Sequence, residues 1–283
     1  MSNLSERDLE RLDRVIEELD KTEPDTYSEG KELSKINEDQ FNLDVDESRI
    51  RFSSATWFDK IQSFDITLGG CGGIGSYVAY LLARLNPYRV ALFDDDRVER
   101  VNMAGQMFSS DDIGVMKVNA LANKMVSYAN YHGYVAIPER ITMLTNVSNV
   151  LLCGFDNMSA RKISFERWLN EVEELSMEED KSKYNSSIFI DGRLAAEEYQ
   201  VIAIRANDLD RINEYRNNYL FEDHEAEEEI CSFKQTAFMA NQIASTMINI
   251  LVNHAANLVY GVEARSVPFF TSYNAATMQF KTE

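Results

Sequence analysis

Three cysteines in 283 residues, Cys71, Cys153 and Cys231, are too few and too widely spaced to build a disulfide framework or a four-cysteine zinc site within one chain. That scarcity fits a reducing, intracellular setting. The three histidines, His132, His224 and His254, show no metal-ligand spacing. The first residues lack a basic patch followed by an apolar run, and no later run is apolar for long enough to cross a bilayer. A soluble cytoplasmic protein with no membrane partner is therefore expected. Positive charge is scarce as well: 28 Lys and Arg stand against 47 Asp and Glu, a net charge of −19. No basic cluster offsets it, so a polyanion would be repelled, which excludes a general nucleic-acid binder. Internal repeats and low-complexity tracts are absent too.

What remains is ample material for a core, with 45% hydrophobic and 11% aromatic residues. The charge is unevenly spread. Residues 1–48 hold 16 acidic side chains against 6 basic ones, more than half of the excess negative charge. Within them Leu9, Leu12, Val15, Ile16 and Leu19 recur at helical spacing, and Ser5-Glu6-Arg7-Asp8 can cap the start, so a short amphipathic helix followed by a linker is expected. Residues 49–283 are expected to form the folded domain.

From Ser63 onward, short apolar runs alternate with longer amphipathic ones, the pattern of β-α-β units. Residues 64–68 read as a strand, 76–85 as a helix, 90–93 as a second strand and 117–131 as a helix. Residues 150–155 form a strand that delivers Asp156, and 159–175 a helix. Strands follow at 187–192 and 198–204, then a long helix of small and aliphatic residues at 236–256 and a strand or hairpin within 268–280. Residues 176–186 and 221–229 read as solvent loops. The expected class is α/β: a doubly wound, Rossmann-like, mostly parallel sheet with helices on both faces and antiparallel strands at the C-terminus.

Between the first strand and its helix lies Gly70-Cys71-Gly72-Gly73-Ile74-Gly75. Glycines at such a turn let backbone N–H groups approach a phosphate, and the helix N-terminus adds a positive partial charge there. Nineteen residues after Gly75, Asp94 ends the second strand, where a carboxylate can accept hydrogen bonds from ribose hydroxyls. A bare glycine pattern is weak, because dehydrogenases share it. Turn, strand and acid together are stronger.

The next residues, Asp94-Asp95-Asp96-Arg97-Val98-Glu99-Arg100-Val101-Asn102-Met103-Ala104-Gly105-Gln106, depart from a dehydrogenase. They resemble the ThiF/MoeB and ubiquitin-activating-enzyme family, whose pattern is Asp-x-Asp-x-Val-Glu-x-x-Asn-x-x-Arg-Gln. The likeness continues through Asp112-Ile113-Gly114-Val115-Met116-Lys117 and through Phe155-Asp156-Asn157 with Arg161. It is good over residues 65–192 and weak elsewhere. The resemblance implies ATP and Mg²⁺ as ligands and adenylation of the C-terminal carboxylate of a ubiquitin-like or sulfur-carrier protein, with release of pyrophosphate. It implies that Gly70, Gly72, Gly73 and Gly75 hold phosphates, that Asp94 holds the ribose, and that Asp96 and Asn102 line the nucleotide. It further implies that Lys117 neutralises the phosphates, Gln106 positions the triphosphate and Asp156 holds the metal. A homodimer is implied as well. Each residue also has a plainer reading: Lys117 as an exposed helix residue, Asp96 as a turn cap, Asn102 and Gln106 as partners for loop backbone.

Two departures matter. Gly105 stands where the family has an arginine, so a cation near the phosphates is missing; losing one such group costs on the order of 10²–10³ in rate. Arg97, Arg100 and Arg193 are candidate replacements, and Arg49 or Arg51 resembles the arginine that family dimers lend to the neighbouring site. Without a replacement, the alternative is a degenerate fold that binds or scaffolds a larger assembly. The family's paired Cys-x-x-Cys motifs are also missing, so no structural zinc is expected. Cys231 is the candidate nucleophile, although Glu227, Glu228 and Glu229 would raise its pKa and favour an inert thiol.

Overall fold

In a computed structural model the described residues are 51–221 and 236–283. The readings made for the N-terminal helix, for most of the second acidic loop, for Arg49 and for Cys231 fall outside them. After a short helix α1 (Phe58–Gln62), the chain alternates β1 (Asp65–Gly69), α2 (Gly73–Leu85), β2 (Arg89–Phe93), α3 (Lys117–Ala129), β3 (Tyr134–Ile137), β4 (Val150–Cys153), α4 (Met158–Met177), α5 (Ser182–Ser186) and β5 (Ile188–Ala195). It continues as β6 (Glu198–Arg205), α6 (Leu209–Asn218), α7 (Ala237–Tyr260), β7 (Phe270–Asn274) and β8 (Gln279–Thr282).

These eight strands form one sheet in the order β3-β2-β1-β4-β5-β6-β7-β8. The pairs from β3 to β5 are parallel and those from β5 to β8 antiparallel. The chain winds outward from β1 to β3, crosses back, and winds outward again through β4 and β5. Its switch point therefore lies between β1 and β4, where α/β sheets bind ligands at the carboxyl ends of their strands.

Strand residues alternate between the faces, and both faces are covered. Ile66, Leu68, Val90, Leu92, Val150, Leu152, Ile188 and Ile190 pack against α2, α3 and α7. Their neighbours Leu151, Cys153, Phe189, Ile202 and Ile204 pack against α4 and α6. Burial on both faces explains why the central strands read as continuous apolar runs. Asn86, Asn130 and Gly261 end α2, α3 and α7 in the left-handed conformation that short polar side chains and glycine tolerate.

The doubly wound sheet and its antiparallel extension match the sequence reading, and residues 268–280 do contain a hairpin. Several elements depart from it. Residues 176–186 are a solvent loop only at 178–181: α4 runs on to Met177, and α5 is pinned by the Tyr184 hydroxyl donating to the Ala206 carbonyl at 3.2 Å and by Asn149 donating to the Ser186 hydroxyl at 3.0 Å. Those hydrogen bonds and the Tyr184 ring packed on the core seat a segment that is otherwise polar, which polarity alone misreads. The edge strand β3 and the polar helix α6 were also unread. Helix α2 begins at Gly73, three residues before the expected start, so two glycines lie in its first turn.

Candidate functional site

The carboxyl ends of β1, β2 and β4 bring three segments together. Gly70 takes a positive φ of 83°, which turns the chain out of β1 into the loop. The first bond of α2 runs from the Ser76 N–H to the Gly72 carbonyl at 3.0 Å. The amides of Gly73, Ile74 and Gly75 thus have no acceptor within the helix and lie at its positive end. The loop folds tightly against itself: a Cβ on Gly75 would lie 1.8 Å from the Gly70 carbonyl oxygen, and one on Gly70 would lie 2.9 Å from Gly154. Gly72 is different. A Cβ there would meet only the Gln106 amide nitrogen, at 3.8 Å, so its backbone faces open space.

Asp94 leaves β2 directly beneath this loop. Its carboxylate accepts the Cys71 N–H at 2.7 Å and the Asp96 N–H at 2.9 Å, tying the acid to the glycine turn. Burial raises its pKa, and the Lys117 ammonium and the two amide donors only partly oppose that rise. Lys117, at the first position of α3, is buried and not the exposed helix residue of the plainer reading. Its ammonium donates to Asp96 at 2.7 Å. Desolvation works against its charge, yet the combined attraction of Asp96, Asp94 and Asp156 carries its pKa above the ordinary lysine value. The loop between Asp96 and Lys117 closes on itself through the Lys117 N–H to the Asp96 carbonyl at 2.9 Å and the Val98 N–H to the Val115 carbonyl at 2.8 Å.

Asn102 and Gln106 lie on the 3₁₀ turn Arg100–Ala104 and just after it. The Asn102 side-chain oxygen accepts the Glu99 N–H at 2.7 Å in a capping box, so part of its polarity does serve the loop. Gln106 does not: its Oε1 is buried and has no hydrogen-bond partner among the described residues. The next residue is fastened to α2, with the Met107 N–H donating to the Ser76 hydroxyl at 3.1 Å. A buried amide oxygen left unpaired costs about 1–3 kcal/mol. Together with the open backbone at Gly72, it marks a place where a polar ligand completes the hydrogen bonding. The open backbone at Gly72 and the amides of Gly73, Ile74 and Gly75, which have no acceptor within the helix, fit a phosphate-bearing ligand in this loop, whereas the Gln106 oxygen, an acceptor, fits a donor such as a ribose hydroxyl or a water.

Gly105 has φ −116°, a value open to every residue, so backbone geometry does not demand glycine there. The candidate replacement cations are placed as follows. Arg97 donates to the Gly114 carbonyl at 2.8 Å, Arg100 and Arg51 are exposed, and Arg193 is bound to Asp191 at 2.7 Å. Strand β4 stops at Cys153, short of the expected 155, so Asp156 lies in the turn after it and is exposed, with Asn157 capping α4 by accepting the Ala160 N–H at 2.8 Å. Arg140 pairs with Asp95 at 2.7 Å on the exposed side of the same acidic turn.

Behind Asp156 lies a group that sequence reasoning did not assemble. Asp191 on β5 is fully buried and takes hydrogen bonds from Arg161, from Arg193 at 2.7 Å and from the Tyr215 hydroxyl at 2.9 Å. Burial opposes its charge, but the two guanidinium groups win and hold its carboxyl below the usual range. Arg161 had shown itself in sequence only as a match to a family position. Its acid, 30 residues away, carries no local signal.

The ThiF family profile matches residues 46–283. The ubiquitin-like modifier-activating enzyme 5 of Drosophila persimilis is 28% identical over 149 residues, which is 50% of this chain and 36% of that protein. Its Culex quinquefasciatus counterpart is 37% identical over 115 residues, 41% of this chain and 24% of that one. The chain thus spans about a quarter to a third of the length of such relatives. Among solved structures, PaaA superposes with a TM-score of 0.60 at 15% identity, covering 100% of this chain and 83% of PaaA. E. coli MccB, solved with ATP, gives 0.59 at 16% identity, covering 100% of this chain and 80% of MccB. Those structures share the fold, and the profile match over most of the length, with the glycine loop and its acids inside it, makes this chain a member of the ThiF family.

Proposed function

We propose that the protein binds ATP with Mg²⁺ in the glycine loop and adenylates the C-terminal carboxylate of a small ubiquitin-like, sulfur-carrier or peptide substrate. The observation that carries this reading is the convergence of the loop, Asp94 and Asp156 at the switch point, with the buried Lys117 ammonium among their charges. The ATP-bound MccB and the MccB complex with the MccA peptide support it by shared fold, as do the modifier-activating relatives.

In this reading the amides of Gly73, Ile74 and Gly75 bind phosphate oxygens, Gly70 and Gly75 keep the turn close, Gly72 leaves its backbone open to the phosphates, and Asp94 accepts from the ribose. Asp96 and Asn102 line the nucleotide, and Gln106 orients the triphosphate. Mg²⁺ held by Asp156 would screen phosphate charge and polarise the bond being cleaved. A substrate carboxylate oxygen attacks the α-phosphorus. The bond from that phosphorus to the β-phosphate oxygen breaks, and pyrophosphate departs, leaving an acyl adenylate. Lys117 stabilises the charge that accumulates on the leaving group, and no protein nucleophile is required. Homodimerisation belongs to the same proposal.

Magnesium-dependent ATP binding measured by calorimetry, followed by ATP–pyrophosphate exchange with candidate carriers, tests it. Asp156→Ala and Lys117→Ala are each expected to lower exchange by about 10²–10³-fold, the cost of one such group. Absence of ATP binding by the parent protein would overturn the proposal. Gly105 favours a second reading, in which the loop binds nucleotide without turnover; tight ATP binding with no exchange for any carrier would select it.

A further inference from the structure

We infer that Arg161 and Asp191 are positioning residues that set the place of Asp156, the residue assigned above to the metal, by clamping the peptide bond that delivers it. This rests on the proposed role of Asp156. Asp156 is exposed, and among the described residues its side chain accepts a single hydrogen bond, from Asn157 at 3.2 Å. Its position must therefore come from the backbone on either side. After it, Asn157 caps α4. Before it, the Phe155 carbonyl accepts a hydrogen bond from one terminal nitrogen of Arg161.

The other terminal nitrogen of Arg161 binds Asp191 and the Gly192 carbonyl, the latter at 2.9 Å. One planar guanidinium thus bridges the turn after β4 to the middle of the neighbouring strand β5. A rigid fork fixes a distance and an angle that a lysine ammonium on a flexible stem does not. The acid at the far end is itself immobilised. Asp191 is fully buried, and its second oxygen is held by Arg193 and by Tyr215, which packs among Phe165 and Phe189 with ring centroids at 4.7 and 5.7 Å.

The clamp reaches the glycine loop as well. The Gly154 N–H donates to the Gly69 carbonyl at 2.8 Å, and Gly70 lies directly on Gly154. Phosphate loop and carboxylate turn are thus one packed unit, with Arg161 as its anchor on the β5 side. Residues that orient a metal ligand without touching the metal commonly change affinity by about 10–100-fold when altered.

Arg161→Lys, with Tyr215→Phe as a milder second variant should the first fail to fold, tests the assignment. ATP binding is titrated against Mg²⁺ and repeated without metal. Arg161→Lys is expected to raise the Mg²⁺ concentration for half-maximal effect about tenfold or more and to leave metal-free ATP affinity within about twofold. Tyr215→Phe shifts it the same way by less. Hydrogen exchange at the amides of residues 155–158 should quicken in both, while that of residues 72–76 holds. An unchanged Mg²⁺ requirement in folded Arg161→Lys overturns the inference. So does an equal loss of ATP affinity with and without metal, which marks a merely structural role. If the parent protein shows no Mg²⁺ effect, the metal reading of Asp156 falls, and exchange at 155–158 alone decides whether the clamp exists.

Discussion

Two ionic clusters flank the carboxyl ends of the parallel strands, and they are built on opposite terms. Lys117 and Asp96 pair at the mouth of the glycine loop, with side-chain exposures of 9% and 63%. Arg161 and Asp191 pair at 7% and 0%. In the first cluster one cation answers to several carboxylates, and the ordinary state of Asp96 is to face water, so the ammonium can exchange partners when a phosphate arrives. In the second, each oxygen of a single carboxylate has its donors, with two arginines and a tyrosine converging on it. One cluster is arranged to change, the other to stay.

Removing the shared acid from each cluster should break that contrast most widely. Asp191→Ala leaves two arginines desolvated without an anion, and breaking such buried pairs costs about 3–5 kcal/mol. Asp96→Ala leaves Lys117 near Asp94 and Asp156, and the loss is expected to be about 1 kcal/mol or less because Asp96 is solvated. Urea unfolding of both variants measures the difference; equal losses would erase the distinction.

A smaller effect separates two glycines of the loop between the clusters. Gly75→Ala drives a methyl into the Gly70 carbonyl, 1.8 Å from the ideal Cβ, and overpacking of this kind costs about 1–3 kcal/mol. Gly72→Ala meets nothing closer than the Gln106 amide at 3.8 Å and should cost less stability than Gly75→Ala. Its effect falls on ATP binding instead, because the new methyl occupies the ligand's side of the loop. Thermal melts with and without ATP distinguish the two variants.

The smallest effect is a difference in acidity. Asp94 is pushed above 3.8 by burial, whereas Asp191 is drawn below 3.8 because its cations outweigh the desolvation it suffers. For Asp191 the sign follows simply: its contribution is present above the unfolded pKa and is lost as pH falls through the lower folded one. For Asp94 the ionised form is the disfavoured one in the fold, so acidification through its raised pKa relieves a cost. Acidification should therefore protonate Asp94 first while the clamp stays intact, and only further acid should loosen it. Carboxyl ¹³C titration resolves the order, and Asp191 titrating before Asp94 would reverse the comparison.

The difference between the clusters also explains what the sequence could and could not reveal. The glycine loop, Asp94 and Asp156 are local marks just past the ends of strongly apolar strands, and Lys117 opens an amphipathic helix, so spacing along the chain translates directly into place. Strand β3 escaped because Tyr134, Val135, Ala136 and Ile137 form a half-exposed edge with little alternation. Helix α6 escaped because only Ile212 and Tyr215 are buried in a polar segment. The clamp was illegible for a different reason. Arg161, Asp191 and Tyr215 come from three elements, and a buried acid in an apolar strand looks like a strand end until the fold supplies its partners. Asn102 shows the converse, since its capping box could have been read from Glu99 three residues earlier.

The cysteine inside the glycine loop gives the molecule a chemical clock. The Cys71 thiol is completely buried, and burial pushes its pKa well up, so in the closed loop it is doubly protected from alkylation. Any adduct that forms there at neutral pH records an opening of the loop. The modification rate of the Cys71 peptide, followed by mass spectrometry, therefore counts those openings directly, and a ligand that fills the loop should slow the count without any assay of turnover.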